Sequence, residues 1–250
     1  MSPVVGYGEI FAARGSAYDD AMGRWPDARA DEFAFAVSAA GIAGGDRVVD
    51  VPAGGGYLRD HLPVATTYLA VEPSAAFVAG CRRRGVEVVE SSLRAEAVGA
   101  ATADVVVSVA GVHHEDDHVG LLRSWRRIVR LGGTVALIDV AEGTAPAAFL
   151  DGFVGAHNGE GHRGRYLADG GEALAEEAGL TDARTIDGAY CWWAPDERSL
   201  AEFCAGLFGL RGVTPEQVIA AIDADLGIED DHGRVGMRWG LRAVVARSAG

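Results

Sequence analysis

Between residues 46 and 141 the chain alternates short apolar, largely β-branched runs with stretches whose apolar side chains recur at helical spacing, and this alternation constrains the fold most. The runs are "RVVDV" 47–51, "TYLAVE" 67–72, "VEVVE" 86–90, "DVVVSV" 104–109 and "TVALIDV" 134–140. They are short and almost wholly apolar, as strands covered on both faces are. Helical patterns fill the gaps at 56–62, at 74–85 with a glycine stop, and at 116–133. Strand alternating with helix at this spacing predicts βαβ units and a doubly wound α/β fold with a mostly parallel sheet.

The flanks are less regular. Helices are expected at 17–24 and 28–43 as an N-terminal cap, then at 144–157 and 170–179, with strands at 183–193 and 237–247. Residues 195–230 read as two or three helices inserted before the last strand. A chain of 250 residues, 49% hydrophobic, buries one sizeable core. A single domain is therefore expected, with a cap over 1–45, a ligand-binding core over 46–141 and a substrate-side half over 142–250 that carries the insertion at about 195–231.

Charge removes several classes of function. The formal net charge is −14, from 36 acidic against 22 basic residues, the wrong sign for a nucleic-acid surface. All 22 basic residues are arginine, so Schiff-base and P-loop lysine chemistry is absent. Cys81, Cys191 and Cys204 are odd in number and far apart, which fits a reducing cytoplasm better than a disulfide framework. No apolar stretch of about 18 residues suggests a membrane span or a secretion signal.

The first strand ends in Asp50 and runs into "VPAGGGYL". A glycine-rich turn ahead of a helix lets a ligand approach the backbone closely at a positive helix end. A dinucleotide fingerprint starting at Gly54 would need glycine at 59, where Arg59 stands. A second acid, Glu72, ends the second strand 22 residues after Asp50, where doubly wound folds place a carboxylate for two ribose hydroxyls. An adenosine-type ligand is indicated.

"VVDVPAGGGYL", "YLAVEPS", "ADVVVSVAGVHH" and "LLRSWRRIVRLGGTVALIDV", in that order, resemble the motif series of class I S-adenosylmethionine-dependent methyltransferases. The resemblance implies a seven-stranded, Rossmann-like sheet and S-adenosylmethionine as cofactor. It assigns the methionine end to Asp50, Pro52, Ala53, Gly54 and Gly56, the ribose to Glu72, and the adenine side to Pro73, Ser74, Ser92 and Leu93, with Ala110 beneath the sulfonium. Pro52 departs from the family pattern. It stands where the first glycine usually sits and has no N–H to donate. At Ser92 and Leu93 the acid that usually meets the adenine amino group is missing.

Methyl transfer asks the protein to align the acceptor, exclude water and, where needed, remove a proton. His114 follows the fourth strand. "AHNGEGHRG" crowds His157, Asn158, Glu160, His162 and Arg163 together on the substrate side. His114, His157 and His162 are the candidate catalytic residues, with Arg163 and Arg165 for an anionic group on the substrate, and Tyr18 and Trp192 as further substrate contacts. No metal is assigned. The "HHEDDH" run reads as a helix start at Asp116 and Asp117, because adjacent side chains rarely converge on one ion, and His157 with His162 lacks a clear third ligand.

The expected function is methylation of a small-molecule acceptor in biosynthesis, with oxygen ranked ahead of nitrogen or carbon. The alternatives are a non-methylating cyclase, lyase or isomerase on the same fold, or a binding module without turnover. The expected partner is a small molecule, with neither nucleic acid nor membrane, and a homodimer stays open.

Overall fold

A computed structural model describes residues 6–159 and 161–249. The chain opens with α1 (Tyr7–Arg24) and α2 (Ala30–Ala40), followed by β1 (Arg47–Asp50), a 3-10 turn (Tyr57–His61), β2 (Thr67–Glu72), α3 (Ala75–Arg83) and β3 (Val88–Glu90). Next come β4 (Ala103–Val109), α4 (His118–Ile128) and β5 (Val129–Asp139). Helix α5 (Ala145–Phe149) passes through a π-turn (Leu150–Val154) into α6 (Gly155–His157). The rest is α7 (Glu172–Glu177), β6 (Leu180–Asp187), β7 (Tyr190–Ala194), α8 (Glu197–Phe208), α9 (Pro215–Asp225), β8 (Ile228–Asp231), β9 (Arg234–Trp239) and β10 (Arg242–Ser248).

Seven strands form one sheet in the order β3-β2-β1-β4-β5-β10-β6. The first five run parallel, and β10 lies antiparallel to both β5 and β6. Strand alternation splits the interior into two cores. Val48, Val105, Val107 and Ile138 face one, and Val49, Val106, Val135 and Leu137 face the other. Strand order reverses between β1 and β4, and in such sheets a ligand crevice opens there, at the carboxyl ends of the strands. Among the described residues, no helix is long and apolar enough to cross a membrane.

The central elements follow the sequence pattern closely. Asp117 caps α4 by accepting the Gly120 N–H at 2.8 Å, an interaction of the kind worth about 1 kcal/mol. Thr214 and Gln217 form a reciprocal capping box at the start of α9, with Pro215 in its first turn.

Other expectations need correction. Helix α1 begins at Tyr7, ten residues before the expected 17; glycines 8 and 15 weaken the helical pattern in its first turns, and tertiary packing overrides them. Residues 56–62 make only a short 3-10 turn, and α4 ends at Ile128 because β5 already starts at Val129. The largest difference is in the last third. Each expected late strand, 183–193 and 237–247, is two strands that change sheet partway. Strands β6 and β10 join the main sheet, whereas β7 and β8 both pair with β9 in a separate antiparallel sheet ordered β7-β9-β8.

Both changes of sheet occur at a glycine. Gly188 donates its N–H to the Leu241 carbonyl at 2.8 Å, and a Cβ on Gly240 would lie 2.4 Å from the Gly188 carbonyl oxygen. The crossing strands come too close there for any side chain. The insertion at 195–231 holds α8, α9 and β8, and α8 packs against α1. This arrangement carries Trp192, Phe208 and Trp239 over the switch point.

Candidate active site

Two adjoining cavities lie over the strand ends. The first, about 470 Å³, borders the glycine loop and is lined by Asp50, Pro52, Ala53, Gly54, Ala110 and Gly111, with aromatic walls from Tyr7, Phe11, Tyr18, Tyr57 and Phe77. The second, about 520 Å³, is lined by Arg14, His113, His114 and His162, with Trp192, Phe208 and Trp239 among its walls. Phe11, Tyr18, Arg29 and Ala110 border both.

The first cavity rests on two buried carboxylates. Asp50 accepts the Tyr68 hydroxyl at 2.6 Å, and burial raises its carboxyl to about 7. Glu72 accepts Gly54 N–H at 2.8 Å and the Tyr7 hydroxyl at 3.1 Å on Oε2, and Ser74 N–H at 2.8 Å on Oε1. Burial outweighs those donors and raises Glu72 to about 8. The glycine loop is held by its own bonds: Ala53 N–H meets the Val71 carbonyl and Gly56 N–H the Ala53 carbonyl. Gly54 and Gly56 have φ of +55° and +79°, which suits glycine. Gly56 lies outside the cavity wall, where a Cβ would meet Val86 Cγ1 at 3.1 Å. Pro52 packs directly against Gly111, where a Cβ would lie 2.4 Å from Pro52 Cγ.

The other cofactor candidates divide. Ala110 stands at the junction of the cavities with φ +51°, a strained conformation for alanine of the kind that gathers at functional sites. Ser74 is buried behind Glu72, its hydroxyl on the Phe11 carbonyl at 3.2 Å, and Pro73 sits between them in the chain, half-buried. Ser92 is exposed with its hydroxyl on Glu96, and Leu93 is buried beneath Trp125, whose indole N–H bonds the Leu93 carbonyl at 2.8 Å. None of Glu72, Pro73, Ser74, Ser92 and Leu93 lines either cavity.

The second cavity brings three histidines together. His113 Nδ1 lies 2.7 Å from Asp139 Oδ1. Burial alone would raise the Asp139 carboxyl, but the His113 ring and the N–H groups of Val140 and Val112 hold it below its ordinary value. His114 is buried, and desolvation, with His113 and His162 nearby, holds it well below the usual imidazole range. His162, its side chain 4% exposed, is lowered to about 4 by burial and then by His113, against the pull of Asp151. Asp151, in the π-turn, meets His162 Nδ1 at 3.1 Å and accepts Gly164 N–H and the Tyr166 hydroxyl. The expectation that neighbouring side chains diverge fails here, because residues 113 and 114 occupy a tight turn and both rings reach His162.

Other candidates lie elsewhere. His157 packs its ring on Phe153, 4.8 Å between centroids, outside both cavities. Arg163 and Arg165 are exposed, and Arg165 approaches Asp116 at 3.6 Å. Asn158 is buried, and Glu160 lies outside the described residues. Tyr18 accepts from Arg29, which also pairs with Glu32, and Glu32 takes the Trp192 indole N–H at 2.9 Å.

Sequence reasoning missed Arg14, Arg29, Glu32, Asp139 and Asp151. Asp139 was findable, since it ends an apolar strand as Asp50 and Glu72 do, and Arg29 and Glu32 stand at helix-pair spacing. Arg14 and Asp151 carried no local signal.

The sequence profile of a family described as a methyltransferase domain matches residues 49–137. No curated protein matches. Among solved structures, the Haemonchus contortus phosphoethanolamine N-methyltransferase 2 shares 14% identity over 98% of this chain and 61% of its own, with a TM-score of 0.62. The [4+2]-cyclase SpnF shares 15% over 97% and 94%, TM-score 0.60, and the geranyl diphosphate C-methyltransferase of Streptomyces coelicolor 15% over 87% and 78%, TM-score 0.52. At these identities the likeness is one of fold, and the three differ in reaction. Residues 49–137 thus match the methyltransferase-domain family, and the chain has the fold of class I S-adenosylmethionine-dependent methyltransferases.

Proposed function

We propose that the chain transfers a methyl group from S-adenosylmethionine to an oxygen of a small, partly apolar acceptor. The observation that carries this reading is the junction at Ala110 of a cavity on the glycine loop with a cavity bearing imidazoles. The residues present suit this cofactor. Asp50 and Glu72 are carboxylates whose pKa values burial raises, and the ammonium and sulfonium groups of the cofactor are cations that would favour ionised carboxylates beside them. Glu72 lies behind the cavity wall with a hydrogen bond from the Tyr7 hydroxyl, which a ribose hydroxyl would replace, and Gly54 lines the wall itself.

When bound, the cofactor supplies an electrophilic methyl group on sulfur. The chain's own part is orientation, exclusion of water and handling of one proton. Trp192, Phe208, Trp239, Leu150 and Val154 enclose the acceptor in an apolar wall. His113 accepts the proton of the acceptor hydroxyl, because the Asp139 carboxylate on its Nδ1 stabilises the imidazolium that forms. His114 and His162 orient the oxygen, and Arg14 favours an acceptor with anionic character.

Calorimetry with S-adenosylmethionine and S-adenosylhomocysteine, followed by incubation of candidate phenolic and carboxylic acceptors with a methyl-labelled cofactor, tests the proposal. Labelled product with stoichiometric S-adenosylhomocysteine supports it. Conversion of the acceptor without S-adenosylhomocysteine release would replace it with the cyclase, lyase or isomerase reading.

A further inference from the structure

Methyl transfer to oxygen uses one base at most, yet three imidazoles converge in the second cavity. One ring nitrogen from each of His113, His114 and His162 lies within 4.8 Å of the others. The ring centroids are 4.2 Å apart for His113 and His114, 5.4 Å for His113 and His162, and 5.2 Å for His114 and His162. Three imidazoles on one tetrahedral ion, with metal–nitrogen bonds of about 2.0–2.1 Å, place their centroids about 5 Å apart. Two of the three separations already agree.

Two of the rings are also braced as metal ligands are. Asp139 holds His113 through Nδ1 and Asp151 holds His162 through Nδ1, at 2.7 and 3.1 Å. A carboxylate on Nδ1–H fixes the tautomer and leaves Nε2 as the nitrogen with a free lone pair. The carboxylates are themselves fixed, Asp139 by the N–H groups of Val112, His113 and Val140, and Asp151 by Gly164 N–H and the Tyr166 hydroxyl. Among the described residues no acidic group joins the three nitrogens as a fourth ligand. Three protein nitrogens with an open position are the ligand set of a reactive site rather than a closed structural one.

We propose that His113, His114 and His162 bind one divalent transition ion of the imidazole-preferring class, with Zn²⁺ as the type, and leave a coordination position open to the acceptor cavity. An acceptor hydroxyl entering that position binds as its oxyanion and releases its proton to water, which makes the ion rather than His113 the activating group. That role rests on the methyl-transfer reading, whereas the site itself does not.

The test uses the full chain after chelator treatment, titrated with Co²⁺ by visible absorption and with Zn²⁺ by calorimetry. One equivalent should saturate it, with the intense d–d bands of a four-coordinate ion. His114→Ala and His162→Ala should each lose about 100-fold or more in affinity, and Asp151→Asn about 10–100-fold. His232→Ala, at a histidine whose side chain is 96% exposed, should titrate like the parent. Matched far-UV circular dichroism and retained S-adenosylhomocysteine binding separate a lost ligand from a lost fold, and Asp151→Asn keeps the test open if a histidine variant unfolds. Absence of saturable one-to-one binding in the parent overturns the proposal, as does parent-like affinity in both histidine variants. Metal binding without any methylated product would sink the methyl-transfer reading and leave the site standing. Methylation by a chain that binds no metal would do the reverse.

Discussion

The two cavities are built in opposite ways. The cavity proposed for the donor is lined by Asp50, Pro52, Ala53 and Gly54 from one short run of chain, with Glu72 behind its wall at the end of the neighbouring strand. The cavity proposed for the acceptor gathers Arg14 from α1, Arg29 from the turn before α2, His113 and His114 from the loop after β4, His162 from beyond α6, Trp192 from β7, Phe208 from α8 and Trp239 from β9. One is local and the other wholly tertiary. A local site is read off a motif; a tertiary one depends on every connection that brings its parts together.

The comparison can be broken first at the histidines. His114→Ala and His162→Ala should each cut turnover about 10²-fold or more while affinity for S-adenosylhomocysteine stays within about threefold. Stopped-point assays with labelled cofactor and calorimetry measure the two quantities, and a parallel loss of cofactor affinity would mean the cavities are not separable. Glu72→Ala should do the converse. It removes the common acceptor of Gly54 N–H, Ser74 N–H and the Tyr7 hydroxyl, and about a 100-fold loss of S-adenosylhomocysteine affinity is expected from the stranded buried donors.

A third variant probes the connection. Gly240→Ala puts a methyl group into the Gly188 carbonyl oxygen where the strands change sheet, and about 2–3 kcal/mol of stability should be lost in urea unfolding. At concentrations where it remains folded, acceptor affinity should weaken before cofactor affinity does. Equal effects on both would contradict the division between local and tertiary sites.

The smallest expected effect sharpens the electrostatics of the donor side. Asp50 holds a proton up to about 7 in the folded chain, against about 4 when unfolded. Between those values the folded chain binds the extra proton, so the contribution of Asp50 to stability is full below about pH 4 and falls as pH rises toward 7. Asp50→Asn can still accept the Tyr68 hydroxyl and has no such slope. Unfolding at pH 5 and pH 7 should show the variant gaining relative to the parent by up to about 2 kcal/mol as pH rises. No change, or a change of opposite sign, would show that Asp50 is ionised throughout.

Legibility followed the same division. Strand β2 and the apolar cores of β1, β4 and β5 were readable because strands covered on both faces need apolar residues throughout, and that demand leaves a mark in consecutive positions. Asp50, Glu72 and Gly54 were readable for a related reason: an acid closing such a strand, or a glycine beside it, is locally conspicuous. Asp139 obeys the same rule and was legible in principle. The late strands were misjudged because an apolar run looks the same whether it stays in one sheet or crosses to another, and the glycines at 188 and 240 mark the crossing only once both strands are seen together.

The histidines show where sequence reading stops. Neighbouring His113 and His114 suggested divergent rings, and His162 stood nearly fifty residues on in a polar loop beside His157 and Arg163. Which of those loop residues turned inward depended on Asp151 in the π-turn gripping His162, a contact with no periodic or compositional trace.

The sequence by itself therefore determined the alternating strands and helices of the doubly wound sheet and the acidic, glycine-rich loop after its first strand, since each follows from the local demands of strand burial and backbone conformation. Tertiary structure alone decided which histidines meet, which arginines face the cavity and how the last four strands divide between two sheets. Those outcomes are set by packing among segments as far apart in the chain as Arg14 and Trp239, where no single stretch of chain carries the energetic preference.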